Sequence, residues 1–494
     1  MGYDAGSSSI KATLLDAETG EVMASATSPE RELSIDVPQP GWAEQDPEVW
    51  WGHVKRATAL IRERSDSNLR GVKAIGISYQ MHGLVVVDNG LRALRPAIIW
   101  CDSRAVPIGD EAFRGIGEGV CLGRLLNSPG NFTASKLKWV KDNQPDIYGR
   151  IYKAMLPGDY LAMRMTGEVV TTPSGLSEMI LWDYREEEPA ALVLDHYGIS
   201  PDLLPGTAPT FSVQGELTRG AAEELGLEPG TPVSYRAGDQ PSNAFSLKVL
   251  DPGEAAATAG TSGVIYGVSD RPECDPQSRV NIFIHVNHRG DNPRYGILLC
   301  VNGTGILYQW LKRNLVGGGE PLDYDTMNRL AASVPAGARG LVILPYGNGA
   351  ERTLGNRNIG ASVHGLDLNI HTRAHLLRAA QEGIVFALNY GLEIMRGMGL
   401  EVETVRAGGA NIFQSPLFGE AFAVVTGAAV ELYDTDGSQG AARGAGLGAG
   451  IYKDMEEAFV GLKLVKVIGP SPGLEEAYRE AYGRWREVLG TYVE

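Results

Sequence analysis

Two aspartates and a set of glycine- and serine-rich turns carry the residues best suited to chemistry in this chain. Asp4 stands at the tip of a short apolar run and is followed by the turn Ala5-Gly6-Ser7-Ser8-Ser9. Asp239 ends a second apolar run, Val233 to Ala237, through Gly238. A carboxylate at a strand end can take a proton from a substrate hydroxyl, or stand near a Mg²⁺ ion through water. The plainer readings are an Asx-turn residue for Asp4 and a helix N-cap for Asp239. Turns of Gly with Ser or Thr point backbone N–H groups into one concavity, which suits phosphate. Ser7 and Ser8 supply hydroxyls to the first turn, and Thr261 and Ser262 to a second, Gly260-Thr261-Ser262-Gly263. A third turn, Gly408-Gly409-Ala410-Asn411, follows a strand. A fourth segment, Gly437 to Ala442 with Gln439 inside it, opens a helix of small residues where a flat ring could approach the backbone.

The elements that would position these groups alternate between strand and helix, which gives an α/β protein. Met1 to Asp4 and Ile10 to Leu15 form an N-terminal hairpin, and Glu254 to Ala259 with Val264 to Val268 form another. Gly6 and Gly260 lie 254 residues apart, about half the chain. The recurrence predicts two similar domains, 1–247 and 248–494, without a linker between them. Only three residues precede Asp4, so the first strand should pair with few ladder bonds. Strands are expected at Val72 to Ser78, Leu84 to Val87, Leu341 to Leu344 and Val402 to Arg406. Helices are expected at Pro47 to Arg64 behind an Asp46 cap, from Thr133 through Val140, at His371 to Met398 and at Glu475 to Leu489.

Several alternatives are excluded. The 494 residues carry a formal net charge of −16, which gives no footprint for nucleic acid or anionic membrane. No apolar run is long enough to span a bilayer, and Met1-Gly2-Tyr3-Asp4 leaves no signal peptide, so the expected location is the cytoplasm. Cys101, Cys121, Cys274 and Cys300 have no CxxC spacing. There is no GxxxxGK[ST] motif. The loose GxGxxG match at Gly444 to Ala449 falls inside the small-residue helix and not in a strand-to-helix turn, which argues against a dinucleotide fold. His371 and His375, and His285 and His288, come without cysteines or an HExxH frame.

With these pieces in order, the chain resembles the FGGY carbohydrate kinases, and within them the xylulokinase branch, nearly from end to end. The resemblance rests on Pro40-Gly41-Trp42-Ala43-Glu44-Gln45-Asp46-Pro47, Tyr79-Gln80-Met81-His82-Gly83, Trp100-Cys101-Asp102-Ser103-Arg104 and Asn131-Phe132-Thr133-Ala134-Ser135-Lys136-Leu137. It continues with Leu156-Pro157-Gly158-Asp159-Tyr160, Gly238-Asp239, Ala259 to Gly263 and Glu351-Arg352-Thr353. It implies two ribonuclease-H-like domains of the actin, hexokinase and Hsp70 superfold flanking a catalytic cleft. It implies ATP and Mg²⁺ as cofactors, and phosphorylation of a ketopentose, D-xylulose to D-xylulose 5-phosphate, with Asp239 as general base. Met81, His82, Trp100, Asp102, Asn131 and Asp239 would contact the sugar. Ser7, Ser8, Lys11, Gly260, Thr261 and Ser262 would hold the phosphates. Gly408, Gly409, Asn411 and Gln439 would border the adenosine, and Asp4 would stand near the metal. The expected partners are a sugar and a nucleotide, with a homodimer allowed and no nucleic acid or membrane. The alternatives are a kinase for ribulose, another ketose or a polyol, and a non-catalytic nucleotide-binding protein of the same superfold. The adenosine turn departs from the family pattern of three glycines with an arginine shortly after.

Overall fold

The computed structural model describes residues 1–65, 69–260, 262–315, 322–355, 357–409 and 412–493. Along the chain the elements that matter here are β1 (Gly2–Ala5), β2 (Ile10–Leu15), β3 (Val22–Ser28), α1 (Pro47–Arg64), β4 (Ile75–Tyr79), α2 (Thr133–Asn143), α3 (Pro173–Glu178), β5 (Val233–Gly238) and α4 (Asp239–Ser246). They continue with β6 (Glu254–Ala259), β7 (Gly263–Ser269), β8 (Asn281–Ile284), β9 (Tyr295–Val301), α5 (Arg373–Gly397), β10 (Thr404–Gly408), β11 (Ala429–Tyr433), α6 (Gly437–Gly448), β12 (Leu464–Ile468) and α7 (Glu475–Val493).

The chain forms two compact units, and one cut at 247/248 does not separate them. The first takes Met1–Lys248, Phe283–Tyr295 and Thr435–Leu462, and the second takes the rest. The returning segment 435–462 carries α6 into the first unit, so Gln439 sits there and not with the C-terminal half.

In the first unit the sheet order is β5-β4-β1-β2-β3. The hairpin β1–β2 is antiparallel, and β1, β4 and β5 run parallel. Short as it is, β1 pairs over four residues on both sides, more fully than its length suggested. Tyr3 is fully buried and its hydroxyl meets Thr58 of α1 at 2.7 Å. Asp46 caps α1 by accepting from the Glu48 N–H, and Pro47 opens the helix. Helix α6 lies directly on β1 and β4 because both strands carry glycine at the crossing. A Cβ on Gly2 would stand 2.0 Å from the Ser438 carbonyl oxygen, and one on Gly76 would stand 2.0 Å from that of Ala441. That contact fixes the N-terminus of α6.

In the second unit the sheet order is β8-β9-β7-β6-β10-β11-β12. Here β6–β7 is the antiparallel hairpin, and β6, β10 and β11 run parallel. The same hairpin-plus-parallel arrangement occurs in both sheets, as the recurring turn predicted. Helix α5 buries Ile384, Leu388, Leu392 and Met395. It starts at Arg373, later than expected: Thr372 caps it, His375 closes the capping box and His371 lies outside. Among the described residues no helix is long and apolar enough to cross a membrane.

Candidate active site

The acidic centre lies at the carboxyl ends of β1, β4 and β5. Ala5 and Gly238 both pair with Tyr79, so the ends of the three strands lie level. Asp4 accepts a hydrogen bond from Ser78 Oγ at 2.8 Å. Asp239 opens α4 immediately after β5. Burial, and then the negative charge of Asp4, push the Asp239 carboxyl up to about 7. Burial also raises Asp4, with Asp436 adding to the shift and Ser78 and Lys11 opposing it. Asp436 was not anticipated. It caps α6 through the N–H groups of Ser438 and Gln439 at 2.9 and 3.1 Å. Lys11 donates to it at 2.7 Å and holds it below the usual carboxylate range despite its burial. Gly437 allows the approach, since a Cβ there would lie 2.7 Å from Asp4 Oδ2. The signal for Asp436 was in the sequence, as an Asp just ahead of a helix.

The residues expected at the sugar gather beside this centre. Met81 is buried against Gly238, where a Cβ would meet Met81 Cγ at 2.6 Å. His82 has a left-handed backbone, φ +60. Its Nδ1 donates to the Glu178 carbonyl at 3.0 Å, and its ring meets Phe132 edge-on at 4.7 Å. Trp100 is exposed and its indole N–H donates to Ser7 Oγ at 3.2 Å, which ties the Trp100 loop to the turn after β1. Gln45 Nε2 donates to the Ser7 carbonyl at 2.7 Å and braces the same turn, while Ser8 is exposed. Asn131 donates from Nδ2 to the Asp102 carbonyl, and its Oδ1 is buried with no hydrogen-bond partner among the described residues.

Asp102 corrects the expectation of a sugar contact. It is fully buried, accepts from the N–H of Ala43 at 2.6 Å and of Arg104 at 2.9 Å, and pairs with the Arg104 guanidinium at 2.7 Å. That guanidinium also stacks on Trp42 at 3.8 Å and on Trp139 at 4.7 Å. The carboxylate therefore anchors the Trp100 loop and is not presented to a ligand.

Glu178, at the end of α3, has no motif around it and could not be found from sequence. It is 2% exposed, accepts from the Tyr79 hydroxyl at 2.5 Å, and has no partner for Oε2 among the described residues. Burial, with Asp159 and Asp239 nearby, raises its carboxyl well above the ordinary range.

In the second unit, Gly260 and Ser262 lie in the β6–β7 turn, and Gly408 and Gly409 lie at the end of β10, the parallel neighbour of β6. Two of the expected turns thus stand at adjacent strand ends. Thr261 and Asn411 lie outside the described residues.

No group of three or more His, Cys, Asp or Glu among the described residues could hold a metal unaided. A buried carboxylate pair with raised pKa values, Asp4 and Asp239, nevertheless fits a hydrated Mg²⁺ that takes its other ligands from water and phosphate. The arrangement offers a base poised near neutrality, a site for a cation, and hydroxyls on a tight turn.

Family models match the chain twice: the N-terminal domain of the FGGY family of carbohydrate kinases over residues 1–246, and its C-terminal domain over 255–451. A xylulose kinase of Klebsiella pneumoniae is 31% identical over 97% of this chain and 94% of its own length. A solved xylulose kinase from Rhodospirillum rubrum superposes with a TM-score of 0.86 at 27% identity, covering 99% of this chain and 98% of that one. A gluconate kinase from Lactobacillus acidophilus has the same fold, with a TM-score of 0.88 at 23% identity over 100% and 97% of the two chains.

Proposed function

The chain belongs to the FGGY family of carbohydrate kinases, with their two-domain actin- and hexokinase-like fold, and we propose that it transfers the γ-phosphoryl group of ATP to the terminal 5-hydroxyl of D-xylulose. The products are D-xylulose 5-phosphate and ADP. Asp239 accepts the hydroxyl proton as the oxygen attacks phosphorus and the bond to the β,γ-bridging oxygen breaks. The observation that carries this reading is the Asp239 carboxyl, held near 7 beside Asp4 and behind a Gly238 that packs on Met81. A base of that strength is ionised in large part at neutral pH and still takes a proton readily.

Met81, His82 and Trp100 line the ketose, and Asn131 Oδ1 accepts from one of its hydroxyls. Ser7, Ser8 and Lys11 face the phosphates from the first hairpin, with Gln439 near Asp436. In the second unit, Gly260, Thr261 and Ser262 serve the phosphates, and Gly408, Gly409 and Asn411 serve the adenosine. Asp4 would hold Mg²⁺ through water, and the ion would offset phosphate charge when bound.

The xylulose kinases among the relatives favour D-xylulose over ribulose, another ketose or a polyol. The test is ADP release with Mg-ATP across D-xylulose, D-ribulose, glycerol and gluconate. D-Xylulose should give the highest kcat/KM. A higher value for another sugar overturns the substrate, and no ADP with any sugar overturns the assigned chemistry.

A further inference from the structure

Helix α2 starts beneath both loops assigned to the ketose, and its first turn touches each of them. Phe132 packs on the His82 ring, Thr133 Oγ1 donates to the Gly83 carbonyl at 3.3 Å, and Asn131 reaches the Asp102 carbonyl. Lys136 reaches both loops at once. Its Nζ donates to the His82 carbonyl at 2.9 Å and to the Ile99 carbonyl at 3.0 Å, and the residue is fully buried. His82 is the residue with the left-handed backbone, a conformation that persists when its surroundings over-determine it. Ile99 immediately precedes Trp100.

We propose that Lys136 is a positioning residue for the sugar: by bonding the His82 and Ile99 carbonyls together, it sets the spacing between the Met81–His82 loop and the Trp100 loop. A lysine suits the task because one compact amine carries several donors on a long apolar stem. Burial lowers its pKa to about 7, and the neutral amine still has two N–H donors for the two carbonyls. Removing the amine takes the Lys136 donor from the buried His82 carbonyl and leaves the Ile99 carbonyl with the Asp102 N–H at 3.2 Å, so beyond the Leu84–Ile98 backbone pair the two loops lose the bridge that joins them. Lys136 does not itself touch the ketose in this proposal, which rests on the reading of Met81, His82 and Trp100 given above.

The test uses the full chain with Lys136→Met, which keeps the stem and removes the donors, and Lys136→Gln, which keeps one donor group. For Lys136→Met, KM for D-xylulose should rise about tenfold or more, while kcat stays within about threefold and KM for Mg-ATP within about twofold. Lys136→Gln should fall between this variant and wild type. Binding of D-xylulose without nucleotide, followed by tryptophan fluorescence, should weaken by the same factor as KM. A lysine that merely supports the fold would lower the melting temperature and the active fraction and leave both KM values unchanged, and that result overturns the proposal. So does failure of both variants to fold. A wild type that neither binds nor phosphorylates D-xylulose fails the ketose reading instead, and the same comparison on the panel sugar it does turn over then decides the role of Lys136.

Discussion

The charge of Asp4 adds to burial in holding the Asp239 carboxyl near 7, although Asp4 lies in β1 and Asp239 opens α4 almost half the chain away. They meet because Ala5 and Gly238 pair with one residue, Tyr79, from opposite sides. A carboxylate kept this basic costs the ligand-free fold stability and suits a proton acceptor.

Asp239→Asn should retain the fold and D-xylulose binding and lose roughly 10² to 10⁴ in turnover. Its effect on stability has a definite sign. The folded pKa, about 7, lies above the ordinary carboxyl value of 3.8, so this group's contribution is fully present below about 4 and is lost as pH rises through 7. Denaturant unfolding should therefore find the ligand-free variant more stable than wild type at pH 8, on the order of 1–3 kcal/mol, with the gain shrinking by pH 4.

The pH dependence of catalysis follows from the same group. With Mg-ATP subsaturating, kcat/KM for the ketose should rise through an apparent pKa near 7 and level off above it. In Asp239→Asn this limb should be missing from the residual rate.

His82→Ala should raise KM for the ketose and leave KM for ATP nearly unchanged, because the ring packs among Phe132, Phe283 and the Glu178 carbonyl on the sugar side. The reverse pattern in steady-state kinetics would exchange the two assignments.

Gly437→Ala tests the join between α6 and the acidic centre. The added methyl would lie 2.7 Å from Asp4 Oδ2 and 2.9 Å from Asp4 Cγ, which displaces the carboxylate. KM for Mg-ATP, and the Mg²⁺ concentration needed for half-maximal rate, should rise several-fold, with sugar binding unchanged.

Asp102→Ala separates an anchoring carboxylate from a sugar contact. The buried Arg104 would keep Glu44 at 2.7 Å but lose its bonds to Asp102, and thermal or denaturant unfolding should show a loss of about 1.5–3 kcal/mol. A selective rise in KM for the ketose without loss of stability would restore the sugar contact.

The two hairpins were legible in the sequence because a turn of Gly with Ser or Thr between two short, mostly apolar runs is a local signal, and β2 and β6 have the expected limits. The Asp46 cap and the place of Asp239 at a strand end were equally local. What local patterns do not record is the long-range closure. The first unit recovers residues 435–462 because Gly2 and Gly76 let α6 lie on the sheet, a contact that neither strand announces. Asp102 was misread because Arg104, two residues on, satisfies it inside a Trp42–Trp139 stack that forms only on folding. Glu178 and the bridging bonds of Lys136 depend on burial and on backbone carbonyls, which leave no mark in a motif.

The most direct measurement is ³¹P NMR of D-xylulose incubated with Mg-ATP and either wild type or Asp239→Asn. One new phosphate ester is expected, coupled to the C5 protons and equal in amount to the ADP formed by wild type, with almost none from Asp239→Asn in the same time. An ester at another hydroxyl, ATP consumed without a sugar phosphate, or equal rates from the two proteins would contradict it.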